Sequence, residues 1–315
     1  KTVEQDNYAG CDLGEQTLTP FTSQDYDDLW ERLRDGYDLQ HPLNSRTQKH
    51  LNWYKKHPRY IQRVTERGSK FLHYIVEGLE QRNMPHELAL LPIVESAFDP
   101  FAYSHGRASG IWQFIPATGK QYGLKQNWWY DGRRDAVAAT DAALDYLVYL
   151  HKRFDGDWLH ALAAYNTGEG NVRKAIRRNK KAGKPTDFWS LKLPRETQAY
   201  VPQLLALAEL TKNPATYDIS LNKIANQVYL TTVDIGSQID LAHASELAGI
   251  STDELYLLNA GFNRWATDPK GPHRLVLPVS QAEQFKQALA SLPTRSRTAW
   301  ERYTVKAGDS LIGIA

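Results

Sequence analysis

Glu95 is the side chain in this sequence best placed to do proton chemistry. It lies in the stretch 85–123, PHELALLPIVESAFDPFAYSHGRASGIWQFIPATGKQYG, where the residues leading up to it are mostly apolar. If the chain is helical from Pro85, with proline first and Glu87 in the first turn, then Leu88, Leu91 and Glu95 share one stripe. The carboxyl then points where a leucine is expected. Loss of hydration disfavours its charged form, so its pKa rises and it can hold a proton near neutral pH, as a general acid must. The alternative for such a carboxyl is a buried pair with an arginine, or a cap on a helix end. Pro92 lacks an amide hydrogen and is expected to kink or restart the helix just before Glu95.

Other polar groups follow Glu95 in a fixed order. Ser96 is next to it, Ser104 stands in a loop with Gly106, then come Gly110-Ile111-Trp112-Gln113 and, later, Ala164-Tyr165-Asn166-Thr167-Gly168. A Glu-Ser pair alone says nothing, whereas three motifs in order carry information. This order resembles the catalytic signature of family 1 lytic transglycosylases of the goose-type lysozyme superfamily: a Glu-Ser pair, a Gly-Leu-Met-Gln-like turn and an Ala-Tyr-Asn-x-Gly segment. Ile111 and Trp112 stand where that family commonly has Leu-Met. Thr186-Asp187-Phe188-Trp189 and Glu196-Thr197-x-x-Tyr200-Val201-Pro202 are similar to the branch of the family that carries C-terminal lysin motifs.

The resemblance implies a mainly α protein: a lysozyme-like helical catalytic domain of the soluble lytic transglycosylase type, then a small α+β βααβ module like a lysin motif. It implies an enzyme of polysaccharide-lyase type that cleaves the β-1,4 bond between N-acetylmuramic acid and N-acetylglucosamine in peptidoglycan without water. The product ends are 1,6-anhydro sugars. Most glycosidases use two carboxylates, about 5 Å apart for retention or about 6.5 to 9.5 Å for inversion. Here only Glu95 stands in a catalytic motif; Asp99 reads as a turn residue, Asp131 and Asp135 as helix starts, and Glu169 as part of an exposed Gly-rich turn. The resemblance assigns Ser104 to orienting the Glu95 carboxyl and Gln113, Tyr165, Asn166 and Tyr200 to the sugar sites, with Tyr200 close to Glu95 and also steadying the carboxyl or the acetamido group. Glu196, one helical turn before Tyr200, is implied to face the same cleft, and Ser96 to stabilise the helix end. By residue type alone, Tyr165 is a buried hydroxyl and Asn166 a C-cap. No cofactor is implied, and the histidines show no metal-ligand spacing. Two rivals stay open: a hydrolytic muramidase on the same fold, and a non-catalytic glycan-binding envelope protein in which Glu95 is structural.

These groups need helices to position them. Ser23 is expected to cap a helix with Tyr26, Leu29, Trp30 and Leu33, and Ser45 one with Leu51 and Tyr54. Ile61, Val64, Phe71, Leu72, Ile75, Val76 and Leu79 keep a 3.6 period, predicting one long helix from Pro58 to Asn83. Further helices are expected over 135–154, 157–165 and 194–212, the last carrying Tyr200, Leu204, Leu205, Leu207, Ala208 and Leu210. Residues 1–21 lack periodicity and read as an extended arm, leaving 22–214 for the catalytic domain.

From 215 to 292 the pattern changes to a small mixed unit, with strands at Gln227–Thr232 and His273–Val279 around helices at Ile239–Ala248 and Thr252–Asn259. Gly249-Ile250-Ser251, Leu255 and Asn259 resemble the second half of a lysin motif, a module that binds N-acetylglucosamine polymers, while the first half departs from the pattern around Gln238. Glycan binding and simple packing are both open for it. Residues 293–315 read as a linker and the opening of a further lysin motif, Tyr303-Thr304-Val305-Lys306-Ala307-Gly308-Asp309-Ser310-Leu311; the rest of that motif is expected beyond residue 315.

Composition narrows the partners. A formal net charge of +2 argues against a nucleic-acid partner, which needs a strongly basic face. The run Arg173-Lys174 and Arg177-Arg178-Asn179-Lys180-Lys181 is a solvated helix end or, alternatively, an attraction to an anionic cell-wall polymer. The 9 Trp and 17 Tyr suit the apolar faces of sugar rings, although most such residues in any protein are core. The single cysteine, Cys11, excludes an internal disulfide framework and reads as a surface residue. No apolar run reaches the roughly 18 residues of a membrane span. The resemblance therefore implies a monomer acting on glycan strands in the periplasm of a Gram-negative bacterium, associated with the outer membrane through a signal or anchor outside this sequence.

Overall fold

Polar side chains cap the start of six of the thirteen α-helices among the described residues. The computed structural model describes residues 26–39, 43–298 and Lys306. Cys11, Ser23, the arm expected at 1–21 and, Lys306 apart, the lysin-motif opening at 303–311 lie outside the described residues. Asp28 accepts the Trp30 N–H and opens α1, Leu29–Asp35. Asn44, rather than Ser45, caps α2, Ser45–Lys56, by accepting from the amides of Arg46 and Thr47, as short polar side chains do at N-caps. The long helix expected from Pro58 is two helices: α3, Pro58–Gly68, and α4, Leu72–Glu80. Glycine and serine are weak helix formers, and Ser69 Oγ donates to the Glu66 carbonyl at 2.7 Å, so the break falls there while both halves keep facing one core.

The helix expected from Pro85 is also split. A 3₁₀ turn over His86–Leu90 leads into α5, Leu91–Ser96, with Pro92 in its first turn, where the missing N–H costs nothing. Next come α6, Pro116–Gln121, α7, Ala136–Arg153, capped by Asp135, and α8, Trp158–Thr167, capped by Asp157. Glu169 is not in an exposed turn: it opens α9, Glu169–Lys181, where its carboxylate pairs with Arg153 at 2.9 Å and Arg173 at 2.7 Å. The basic run lies along α9, with Lys174, Arg177, Arg178, Lys180 and Lys181 exposed. The last long helix, α10, spans Arg195–Lys212. It packs on α2, α5 and α8 and belongs to a core in which Leu144, Leu147, Leu162, Val201 and Leu204 are fully buried. Each such leucine contributes about 1.5 to 3 kcal/mol of burial.

A second, smaller unit follows. Its strands β1, Leu230–Asp234, and β2, Arg274–Pro278, pair antiparallel, with Leu230 opposite Pro278 and Asp234 opposite Arg274. Between them lie α11, Leu241–Ala248, and α12, Thr252–Leu258, giving the βααβ order. A further helix, α13, Val279–Ser291, was not anticipated; it buries Ala282, Phe285 and Leu289 in the core of this unit. The two units meet along a seam that is partly apolar, with Leu230, Leu258 and Val276 joining the core of the larger unit, and partly polar. There Asp135 accepts from Tyr130 at 2.7 Å and Arg274 at 2.8 Å, Lys125 pairs with Asp268 at 2.8 Å, and Lys70 pairs with Glu254.

Candidate active site

Glu95 is aimed by an unusual helix end. It is the penultimate residue of α5, and the two residues after Ser96, Ala97 at φ 53° and Phe98 at φ 56°, are left-handed. For residues with a Cβ that conformation costs on the order of 1 kcal/mol each, so packing must hold it. Phe98 supplies that packing. Its ring is 1% exposed and fills a slot beside Gly68, where a Cβ would stand only 2.7 Å from the ring. Phe71 stacks on it at 6.5 Å. The amide of Phe98 closes the cap on the Pro92 carbonyl at 3.1 Å.

The second motif is fastened to the same helix end. Ser96 Oγ donates to the Ile111 carbonyl at 3.0 Å and within α5 to the Pro92 carbonyl at 3.1 Å, so it ties two motifs together and does not line the cleft. Ile111 and Trp112 are wholly buried, and the Trp112 indole donates to Thr140 at 2.9 Å; their departure from Leu-Met is taken up by the core. Gly110, at φ 80°, admits no side chain, because a Cβ would lie 1.9 Å from the Arg133 carbonyl. Arg133 in turn grips both oxygens of Asp131 and donates to the carbonyls of Arg107 and Phe114. Asp131 is therefore the partner of a loop-organising arginine, whereas Asp135 is the helix start that was expected.

The motifs converge on one open cleft of about 810 Å³, lined by Glu95, Ser104, Gln113, Tyr165, Asn166, Glu196 and Tyr200 among others. Tyr200, from α10, donates its hydroxyl to Glu95 Oε1 at 2.5 Å. Tyr165, from α8, donates to the Trp112 carbonyl at 2.9 Å. Asn166 is not a C-cap, a place taken by Gly168; its Oδ1 accepts from Thr197 at 2.7 Å and its amide reaches Glu196 at 3.3 Å. Gln113, at φ 48°, spends its amide hydrogens on the carbonyls of Gly110 and Ala102. Ser104 differs from expectation. Its Oγ accepts the Ala108 N–H at 3.0 Å, closing its own loop, and Tyr200, not Ser104, is the hydroxyl bonded to Glu95. Tyr146, on the cleft wall, and Thr197, behind Asn166, escaped the sequence reading; Thr197 was visible inside the Glu196 to Pro202 motif.

Electrostatics favour a protonated Glu95. The side chain keeps an edge toward the cleft, yet protein surrounds it on the other sides. Burial raises its pKa from 4.5 to about 7, the Tyr200 hydrogen bond works in the opposite direction, and the nearby Glu196 charge adds to the rise. None of the ion pairs among the described residues includes Glu95, so the paired-carboxyl alternative does not hold. Glu87, the other acid of this stretch, is 3% exposed and is satisfied by the backbone, accepting the amides of Asp38 and Leu39 at 3.0 and 2.7 Å. Burial keeps the Tyr165 and Tyr200 phenols well above their ordinary value, assisted by the charge of Glu95. Both remain hydrogen-bond donors at any working pH.

The helical cleft thus combines a carboxyl of raised pKa at the end of a short helix with a second carboxylate, Glu196. Residues 74–188 match the transglycosylase SLT domain family, and residues 229–294 match the LysM-like domain of lytic transglycosylase MltD. Membrane-bound lytic murein transglycosylase D of Escherichia coli is 43% identical over 302 residues, 91% of this chain and 66% of that relative. A putative tributyltin chloride resistance protein of an Alteromonas species is 44% identical over 162 residues, covering 50% of this chain and 78% of its own length. Among solved structures, an inactive mutant of lytic transglycosylase Slt from Pseudomonas aeruginosa aligns with a TM-score of 0.37 at 22% identity, over 48% of this chain and 25% of that one. The chain belongs to the lytic murein transglycosylase D family, in which an SLT domain is followed by a LysM-like domain. It spans 66% of the length of the Escherichia coli relative.

Proposed function

We propose that the chain is a peptidoglycan lytic transglycosylase in which Glu95 is first the acid and then the base. The observation that carries this reading is the short bond from Tyr200 to Glu95 Oε1 on a carboxyl with a pKa near 7. With Oε1 engaged, Oε2 is the oxygen left to carry the proton into the cleft. It protonates the glycosidic oxygen between N-acetylmuramic acid and N-acetylglucosamine while the 2-acetamido group supports the developing charge at C1. The Glu95 carboxylate, now held by the Tyr200 donor, removes the proton from the C6 hydroxyl, and that oxygen closes onto C1 to give the 1,6-anhydro ring. A tethered nucleophile can have an effective molarity of about 10⁵ M or more, so no activated water is needed.

The supporting roles follow from position. Asn166, Glu196 and Gln113 offer polar edges to the sugars, Tyr146 and Tyr165 form a wall, and Ser104 keeps the loop opposite Glu95 closed. The catalytic unit extends to about residue 214, and residues 215–292 form the lysin-motif-like unit. The relative named as membrane-bound supports a cell-envelope location, and a peptidoglycan substrate supports a periplasmic cleft; our reading takes the chain to act there as a monomer. Among the described residues no helix is long and apolar enough to cross a membrane.

Glu196 gives the hydrolytic reading its footing, since a second carboxylate in the cleft could activate water. Mass spectrometry of digested sacculi separates the two. Anhydro ends that disappear in Glu95→Gln and persist in Glu196→Gln support the lyase; reducing ends alone would overturn it.

A further inference from the structure

Three tryptophans and an arginine at the seam between the two units take no part in the chemistry above. Trp128, from the catalytic unit, is 54% exposed, and Trp265, from the smaller unit, is 44% exposed. Water is a poor surrounding for indole rings, and clustered exposed aromatics mark binding surfaces more often than isolated ones do. The two rings meet edge to face, with centroids 6.2 Å apart and planes at 85°; Trp129 lies against both, at 4.7 and 5.7 Å. Arg264 lays its guanidinium over the Trp128 ring, 3.9 Å from the centroid. Its Nε is buried with no hydrogen-bond partner.

The loops carrying these rings are fixed by their backbones. Asn127 Oδ1 accepts the amides of Trp129 and Tyr130 at 2.9 and 2.7 Å, and its Nδ2 donates to Asp268 at 2.7 Å. Asn263 N–H donates to the Trp129 carbonyl at 2.8 Å, and Arg134 donates to the Asn263 side chain. Trp128 and Trp265 are thus held in place while about half exposed. A chain of neighbours leads from them toward the cleft: Arg134 lies near Tyr103, Tyr103 is 64% exposed, and the next residue, Ser104, lines the cleft.

We infer that Trp128, Trp265 and Arg264 form a second glycan subsite outside the cleft, built jointly by the two units, which takes a sugar ring of the peptidoglycan strand and a carboxylate carried on that strand. This rests on the proposed reading of the substrate. A pyranose presents a C–H face that stacks on indole, and a guanidinium offers a carboxylate parallel N–H donors. The smaller unit then contributes to holding the strand through a side chain adjacent to the catalytic unit.

Co-sedimentation of the 315-residue chain with purified sacculi, in the Glu95→Gln background, measures binding without turnover. Trp128→Ala combined with Trp265→Ala is expected to weaken binding about tenfold, as loss of an aromatic anchor does, while Trp128→Tyr, which keeps a stacking face, retains most of it. Arg264→Gln is expected to weaken binding to sacculi but not to a soluble N-acetylglucosamine hexamer, which carries no carboxylate. In the active chain the double variant should raise KM on long strands and leave kcat unchanged. The inference is overturned if the double variant, melting at the parent temperature, binds sacculi and the hexamer within about twofold of the parent. Turnover by Glu95→Gln tests the proposed function separately, and the binding ratio decides the subsite whichever way that turnover comes out.

Discussion

Tyr200 and Glu95 sit on different helices, α10 and α5, and are joined by a hydrogen bond of 2.5 Å. Tyr200 is 4% exposed and carries no net charge. It can therefore follow the carboxyl through both protonation states without adding an ion to the cleft. Hydrogen bonding to the charged form lowers a carboxyl pKa and burial raises it; for Glu95 burial is the larger effect. The balance leaves an acid that can both give and retrieve a proton near neutrality.

Tyr200→Phe tests this balance. Losing a hydrogen bond to a charged group costs about 1.5 to 3 kcal/mol, so the maximal rate should drop by about one to two orders of magnitude. Removing the one donor that opposes the rise should also move the Glu95 pKa further above 7. The alkaline limb of the pH–rate profile then shifts to higher pH although the plateau is lower. A tyrosine serving only as packing would leave the limb where it was.

Glu95→Gln should abolish cleavage and stabilise the fold. The folded pKa of about 7 exceeds the ordinary 4.5, so between those values the native state binds more protons than the unfolded chain. Wild-type stability therefore falls as pH rises through that window. Below about pH 4.5 both states hold the neutral acid and the variant gains nothing; by pH 8 it should be more stable by about 1 to 3 kcal/mol. Melting curves at pH 4 and pH 8 check the sign, and a variant less stable than wild type at pH 8 would contradict it.

The site residues were legible because their motifs are local. Glu95 stood out by its apolar neighbourhood, the family resemblance pointed to Gln113, Tyr165 and Tyr200, and the cleft contains them all. What escaped depends on contacts between distant segments. Ser104 was expected to orient Glu95, but its hydroxyl is committed to Ala108, a partner that only the folded loop reveals. The apolar period from Pro58 onward does not register the break after Gly68, because α3 and α4 bury the same face before and after it. In α13, Ala282, Phe285 and Leu289 keep helical spacing and could have been read from it.

Gly68→Ala should damage the site from a distance. The new Cβ would stand 2.7 Å from the Phe98 ring, and Phe98 holds the left-handed turn that aims Glu95. Overpacking of this kind costs about 1 to 3 kcal/mol, partly offset by up to about 1 kcal/mol of improved helix propensity. A net loss of stability together with reduced kcat is expected, and Gly68→Ala paired with Phe98→Leu should recover stability before activity.

Thr197→Val isolates the role of Asn166. Thr197 is 1% exposed, and its hydroxyl donates to Asn166 Oδ1 at 2.7 Å, while the Asn166 amide reaches Glu196 at 3.3 Å. Valine keeps the volume and removes the donor, so packing is preserved and the oxygen of Asn166 loses its fixed partner. Such a loss is worth about 1 kcal/mol, enough to let the amide rotate in the cleft. In the proposed reading Asn166 borders the sugars without touching the proton path from Glu95, so KM should rise by about threefold to tenfold while kcat changes little. Thr197→Ser, which restores the hydroxyl, should return KM toward wild type. A fall in kcat with KM unchanged would instead put Asn166 among the groups that stabilise the transition state, and its partnership with Glu196 would then have to be part of the chemistry.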